Sequence, residues 1–400
     1  MKILYLGHIV SKEESNENIA VSPIGNNMQI GIFTEIKKKL GDNLSCYSYI
    51  PLRSFPREKK IINLPRNLLI NEDLTVKSFG FINIILLKQL SIMFSTFVAL
   101  LTFLIKNRTE KKYVITYNVS TFFTLPMLIL SRFFEFQKIC YVVDIQEDIL
   151  EKKQWISDKF RIIDNKFRMK FFSSYNGYLT FNVNVLKSAG IRKPYQQVYV
   201  GAYSQLGTKP GKKYKNDSIN ITYTGILEPY YNLENLVEAV KLLGDRYNLN
   251  IYGKGSLDSY LKEQSHKLNN INFYGYVTNA EAIKAQNDSD ILISLLEPDS
   301  YFGKYAFPGK IFEYLLSGTP VVSTISPALP CELLIYLSTI NNTEINTIVD
   351  KLREVTKSEK NYTIAVEKSK NGSEFINKNC SWQVQATSIL KFLRNLDESR

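Results

Sequence analysis

Lys310 and Glu313 stand three residues apart within Tyr305 to Thr324, YAFPGKIFEYLLSGTPVVST, a spacing that puts an ammonium and a carboxylate on one helix face. Near a helix N-terminus, whose partial positive charge favours anions, a phosphate can sit beside Lys310. A carboxylate one turn in can accept two hydrogen bonds from neighbouring hydroxyls such as those of a ribose. As a solvated ion pair the same residues would be worth only about 0.2–0.5 kcal/mol, and the spacing alone allows either reading. Asp144 ends the apolar run Lys138 to Val143, and open α/β sheets bind ligands beyond the carboxyl ends of their strands. As a helix N-cap it would do no chemistry. Glu297 and Asp299 follow a second apolar run, Ile291 to Leu295. Asp288-Ser-Asp290 has the spacing of a metal site, but it lies at a helix-to-strand junction where acids cap and solvate, so no metal is expected there.

The elements that must hold these groups can be read from the flanking residues. A proline costs nothing in the first turn of a helix, so Pro308 marks a start. Ile311, Phe312, Leu315 and Leu316 share one face, Gly318 supplies a left-handed end, and Pro320 precedes a buried strand at Val321 and Val322. Near the N-terminus a strand at 2–7 leads through Ser22-Pro-Ile-Gly-Asn-Asn27 into a helix from about Met28 to Leu40. A second such opening follows a polar stretch: strand 219–224, a turn at Gly225, helix 233–243, strand 249–252 and then Gly253-Lys254-Gly255. A dinucleotide fingerprint needs a third glycine where this chain has Asp258, which excludes an NAD site.

The stretch around Lys310 resembles the nucleotide-sugar signature of group 1 retaining glycosyltransferases, enzymes of GT-B fold with two Rossmann-like domains facing a central cleft. Their Glu-x7-Glu motif has its second acid at Glu313 and Tyr305 in place of the first. A branch with the pattern Pro-x-Lys-x-x-Glu-Tyr also lacks the first acid, and Pro308, Lys310, Glu313 and Tyr314 match it. The resemblance implies donor-binding roles for Gly25, Asn26, Gly225, Lys254, Tyr305, Phe307, Pro308, Gly309, Lys310 and Glu313. It implies roles at the reacting sugar for Asp144, Glu297 and Lys310. Family members usually carry Arg just after the glycine of the first turn of the second domain, and Lys five residues later. Here those places hold Ile226 and Tyr231. The implied reaction moves a sugar from a nucleoside diphosphate to an acceptor hydroxyl without cofactor or bound metal. A catalytically silent subunit and a sugar-nucleotide epimerase are the rival readings.

Four hundred residues, 44% of them apolar, suffice for two domains. The expected division is 1–203, a linker at 204–218, a nucleotide-sugar domain at 219–381 and a helix at 382–400 crossing back to the first domain. Four scattered cysteines argue for a reducing compartment, and MKILYLG reads as a strand and not as a secretory signal, so the expected location is cytoplasmic. The net charge of +12 is one-sided: residues 1–200 hold 28 Lys and Arg against 16 Asp and Glu, while the second half is balanced. Such a field suits an anionic membrane surface and a lipid-linked saccharide or other glycan acceptor, placing the protein on the inner face of the cell membrane. No nucleic-acid module is recognisable. The basic and aromatic stretch Lys152 to Phe172 fits either a membrane-surface helix or a solvated one with an aromatic core stripe. The run 83–106 is expected to be a crossover helix whose only polar stripe is Lys88, Ser91, Ser95 and Thr102, so that it is either buried against its own sheet or lies partly against a bilayer or a second subunit. Its sixteen uncharged residues give roughly 24 Å, short of a ~30 Å hydrocarbon core. His8, at the end of the first strand, is a candidate acceptor contact.

Overall fold

The computed structural model describes residues 1–11, 21, 23–143, 166–199, 213–306 and 309–398. Asp144, Phe307 and Pro308 lie outside the described residues, as do most of the expected linker and most of 152–172. The chain divides into unit 1, Met1–Gly201 with Trp382–Arg400, and unit 2, Ala202–Ser381.

Unit 1 is built on an eight-stranded sheet. Its strands are β1 (Lys2–Gly7), β2 (Leu44–Ser48), β4 (Arg66–Leu69), β5 (Thr75–Ser78), β7 (Lys112–Tyr117), β8 (Gln137–Val142), β9 (Gly177–Thr180) and β10 (Tyr195–Gln197). They run in the order β10-β9-β8-β7-β1-β2-β5-β4, and only β4 is antiparallel to its neighbour. Ile3, Leu4, Tyr5 and Leu6 are all buried, as a central parallel strand covered on both faces requires. Strands β3 (Ile62–Asn63) and β6 (Phe81–Ile82) form a separate two-stranded ribbon.

Helix α1 (Pro23–Leu40) follows β1, α2 (Leu87–Lys106) precedes β7, and α3 (Thr121–Leu130) follows it. The C-terminal helix, Trp382–Glu398, packs on α1 so closely that a Cβ at Gly31 would lie 2.5 Å from the Trp382 ring. At its other end Asp397 accepts a hydrogen bond from the Tyr113 hydroxyl and pairs with Lys111 at 3.3 Å.

Helix α2 departs from expectation at its start. It begins at Leu87 and not at 83, because Asn83 is tied into a loop. The Asn83 side chain donates to the carbonyls of Arg53 (2.8 Å) and Lys60 (2.9 Å), and Leu86 has φ +71°, which no helix continues through. Its polar stripe points inward. Lys88 is 6% exposed and donates to the Leu52 carbonyl, Ser91 accepts from the Ile82 amide at 3.0 Å, and Ser95 donates to the Gly80 carbonyl at 2.8 Å. Thr102 alone of the four stays exposed. Among the described residues α2 is long and apolar enough by composition to cross a membrane, yet Ile92, Thr96, Leu100 and Leu104 on one side are buried in unit 1.

Unit 2 has six parallel strands: β11 (Ile219–Ile226), β12 (Tyr247–Lys254), β13 (Ile271–Gly275), β14 (Ile291–Ser294), β15 (Val321–Thr324) and β16 (Ser338–Ile340). The order β13-β12-β11-β14-β15-β16 reverses between β11 and β14, the place where such sheets open a crevice at their carboxyl ends. Helices α4 (Leu233–Leu243), α5 (Tyr301–Tyr305), α6 (Gly309–Leu316) and α7 (Glu359–Asn379) include the ones that flank this reversal. Gly318, at φ +69°, ends α6 in the left-handed conformation its sequence implies. Pro320 and β15 follow.

Candidate active site

The loops that leave β11 and β14 meet across the strand reversal. The Glu297 amide donates to the Tyr230 carbonyl at 2.8 Å, and the Asn232 side chain donates to the Leu295 carbonyl at 3.0 Å. Asn232 is left-handed, φ +51°, a conformation asparagine tolerates better than most residues. The Glu297 Oε2 accepts from Thr343 Oγ1 at 3.1 Å and from Asn232 Nδ2 at 3.4 Å. Glu297 therefore ties three loops together.

Helix α6 stands beside this junction and is locked to the end of β11 by Tyr314. That buried hydroxyl accepts from the Thr224 amide at 2.9 Å and donates to the Thr224 carbonyl at 3.1 Å. Burial, only partly offset by these bonds, raises the Tyr314 pKa, so the hydroxyl stays a neutral hinge pin. With α6 so placed, Lys310 Nζ lies 2.9 Å from Glu313 Oε2, and the two side chains keep 32% and 20% of their surface exposed. Both remain within reach of a ligand. A Cβ added to Gly225 would lie 3.6 Å from Lys310 Cε, so the turn after β11 and the ammonium share one corner. Gly309 opens α6, and Tyr305 closes α5 with its ring 5.2 Å from that of Tyr301.

The two places where a basic residue was expected are filled differently. Ile226 exposes its side chain at the end of β11. Tyr231 packs between Tyr223 (5.8 Å) and Tyr230 (4.9 Å), and Tyr230 stacks on Phe302 at 4.5 Å. Burial, reinforced by Tyr230, pushes the Tyr231 hydroxyl up to about 12. An aromatic wall with neutral hydroxyls thus stands where the resemblance implied a cation.

The remaining candidates are distributed as follows. Lys254 sits 4.8 Å from the centre of the Tyr276 ring, at the β12 side of the sheet. Its flanking glycines answer a packing demand: a Cβ on Gly253 would lie 1.8 Å from the Gly225 carbonyl oxygen, and one on Gly255 would lie 2.3 Å from that of Leu227. Asp299 pairs with Lys304 at 3.3 Å on the surface. In unit 1, Asn26 is buried and its amide exchanges two 3.0 Å bonds with the Val10 backbone, while Gly25 gives its carbonyl to Gln29 at 3.0 Å. Asp290 is buried and takes the Asn220 amide at 2.9 Å and Lys215 at 2.9 Å. Among the described residues no three His, Cys, Asp or Glu gather as a metal site. Asn232, Thr343 and the role of Tyr314 escaped the sequence reading. Tyr314 was visible as part of a motif, but its partner lies 90 residues away.

Residues 218–357 match the family model described as glycosyl transferases group 1. The matched stretch carries Gly225, Glu297, Lys310 and Glu313. No curated protein sequence matches the chain. Among solved structures, Anabaena HepE in complex with UDP is similar at TM-score 0.64 and 14% identity, over 99% of this chain and 100% of that one. Sucrose-phosphate synthase from Thermosynechococcus elongatus is similar at 0.64 and 12%, over 100% of both chains. The lipopolysaccharide outer core galactosyltransferase WaaB, in its apo form, is similar at 0.63 and 13%, over 99% of both. Likeness at such identities is likeness of fold, and the fold is GT-B, with two Rossmann-like domains.

Proposed function

We propose that the protein is a retaining glycosyltransferase that moves a sugar, most simply a hexose, from a nucleoside diphosphate to an acceptor hydroxyl. The observation that carries this reading is the Lys310–Glu313 pair, held by Tyr314 at the strand reversal of unit 2, within the stretch that matches the group 1 family model. Glu313 receives the ribose hydroxyls. Lys310, one residue into α6, joins the helix terminus in stabilising the negative charge that develops on the departing diphosphate. That diphosphate takes the acceptor proton on the same face, so no side-chain nucleophile and no bound metal is required. Glu297 acts by holding the loops from β11 and β14 around the sugar. The acceptor is a glycan, carried on a lipid in surface polysaccharide or glycolipid assembly at the cytoplasmic face of the cell membrane.

Ile226, Tyr231 and Tyr305, standing where charges usually do, motivate one rival: a subunit that keeps the fold without the reaction. Thermal denaturation of the wild type, Glu313→Ala and Lys310→Ala against UDP, GDP, dTDP and their sugars separates the two. UDP heads the panel because HepE was solved with it. A ligand at about 100 times its dissociation constant adds about 2.7 kcal/mol, or a few degrees. The expected outcome is a shift with one base that both variants lose. No shift with any nucleotide would leave the silent subunit as the better reading.

A further inference from the structure

Turning the polar stripe of α2 inward leaves an apolar face outward. Leu87, Leu90, Phe94, Val98 and Ile105 lie along one side of the helix, and all are exposed, Phe94 at 70%. Soluble helices place such a stripe against the core. Here the core side is already filled by Ile92, Leu100 and Leu104, together with the hydrogen-bonded Lys88, Ser91 and Ser95. Among the described residues of unit 1 the outer stripe has no partner. It is continuous at its N-terminal end with exposed Ile84, Ile85 and Leu86 and with the ribbon residues Ile62 and Ile82.

The same corner is strongly basic. Asn83, four residues before α2, holds the ends of the loop 53–60 through the Arg53 and Lys60 carbonyls. That loop exposes Arg53, Arg57, Lys59 and Lys60 around a single acid, Glu58. An apolar stripe beside a cationic loop matches the two layers of an anionic bilayer surface, acyl chains below and phosphates above. A second copy of the chain would account for the apolar stripe alone and not for the cationic loop beside it. A spanning helix fits worse still, since half of α2 belongs to the core of unit 1.

We propose that the outer face of α2, with the 53–60 loop and the β3–β6 ribbon, is a docking surface for anionic phospholipid, with α2 lying in the plane of the interface. This inference does not depend on the reaction proposed above.

Sedimentation with vesicles of phosphatidylcholine alone or mixed with phosphatidylglycerol tests it. The wild type is expected to sediment with the mixed vesicles at low salt and to be released as salt rises. Leu90→Glu/Phe94→Glu should abolish binding, and Arg57→Glu/Lys59→Glu/Lys60→Glu should weaken it roughly 100-fold. All five positions are exposed, so the variants should retain the wild-type melting temperature, and the loop variant tests the idea independently of the helix. A wild type that stays in the supernatant with mixed vesicles, or binds neutral ones equally well, overturns the proposal. So does a dimer, seen by light scattering, that Leu90→Glu/Phe94→Glu dissociates, which would give the face to a second copy.

Discussion

Lys310 and Glu313 were legible because everything that places them relative to each other is local: one helix, three residues, a proline before and a glycine after. Tyr314 was not. Its hydroxyl completes the hydrogen bonding of Thr224 at the end of β11, and no pattern within α6 indicates which strand it will reach. The contact has a measurable consequence. Tyr314→Phe keeps the ring and leaves a buried amide and carbonyl short of a partner, a loss of about 1–3 kcal/mol and a few degrees in the melting of unit 2. The same variant should weaken any nucleotide-induced shift, because α6 carries Lys310. An unchanged melting temperature would mean that Thr224 finds other partners and that the lock is not needed.

At the scale of elements, β11, β12, β14 and β15 of unit 2 lie where the apolar runs of the sequence put them, whereas β16 and the helices after it were not read. What the runs could not give is how closely elements approach. Gly253-Lys254-Gly255 looks like a phosphate loop with a member missing, and the structure gives the pair of glycines another cause, the contact of β11 and β12 at their tips. Gly253 (φ +147°) and Gly275 (φ +67°) both have positive φ, but a Cβ at Gly275 would meet nothing within 4 Å. Gly275→Ala should therefore cost about 1 kcal/mol, while Gly253→Ala should cost more than about 3 kcal/mol by forcing the strand ends apart. Comparable melting of the two variants, followed by far-ultraviolet circular dichroism, would remove the packing explanation. The orientation of α2 was illegible for a related reason. Both of its faces are largely apolar, so periodicity cannot say which meets the core, and the hydrogen bonds of Lys88, Ser91 and Ser95 decide it.

Over the whole molecule, the excess positive charge is concentrated in unit 1. Its single histidine, His8, ends β1 among Tyr49 and Tyr117, with ring centres 5.6 Å away in each case. The Nδ1 is shut off from solvent with no partner among the described residues, and burial, opposed only by a hydrogen bond to the Tyr49 backbone, lowers the pKa from 6.5 to about 4. The folded state thus binds fewer protons than the unfolded chain between those values. Stability from this group is complete above pH 6.5 and is lost as pH falls through the window toward 4, by on the order of 3 kcal/mol. The other histidine, His266, is exposed in unit 2. Both tryptophans, Trp155 and Trp382, belong to unit 1, so tryptophan fluorescence reports its unfolding selectively. Urea titrations by fluorescence at pH 7.5, 5.5 and 4.5 should show a falling midpoint for the wild type and a flatter one for His8→Phe, which keeps an aromatic edge against Tyr49 and Tyr117. Equal slopes in the two proteins would shift the acid sensitivity to carboxylates and leave His8 as an ordinary packing residue.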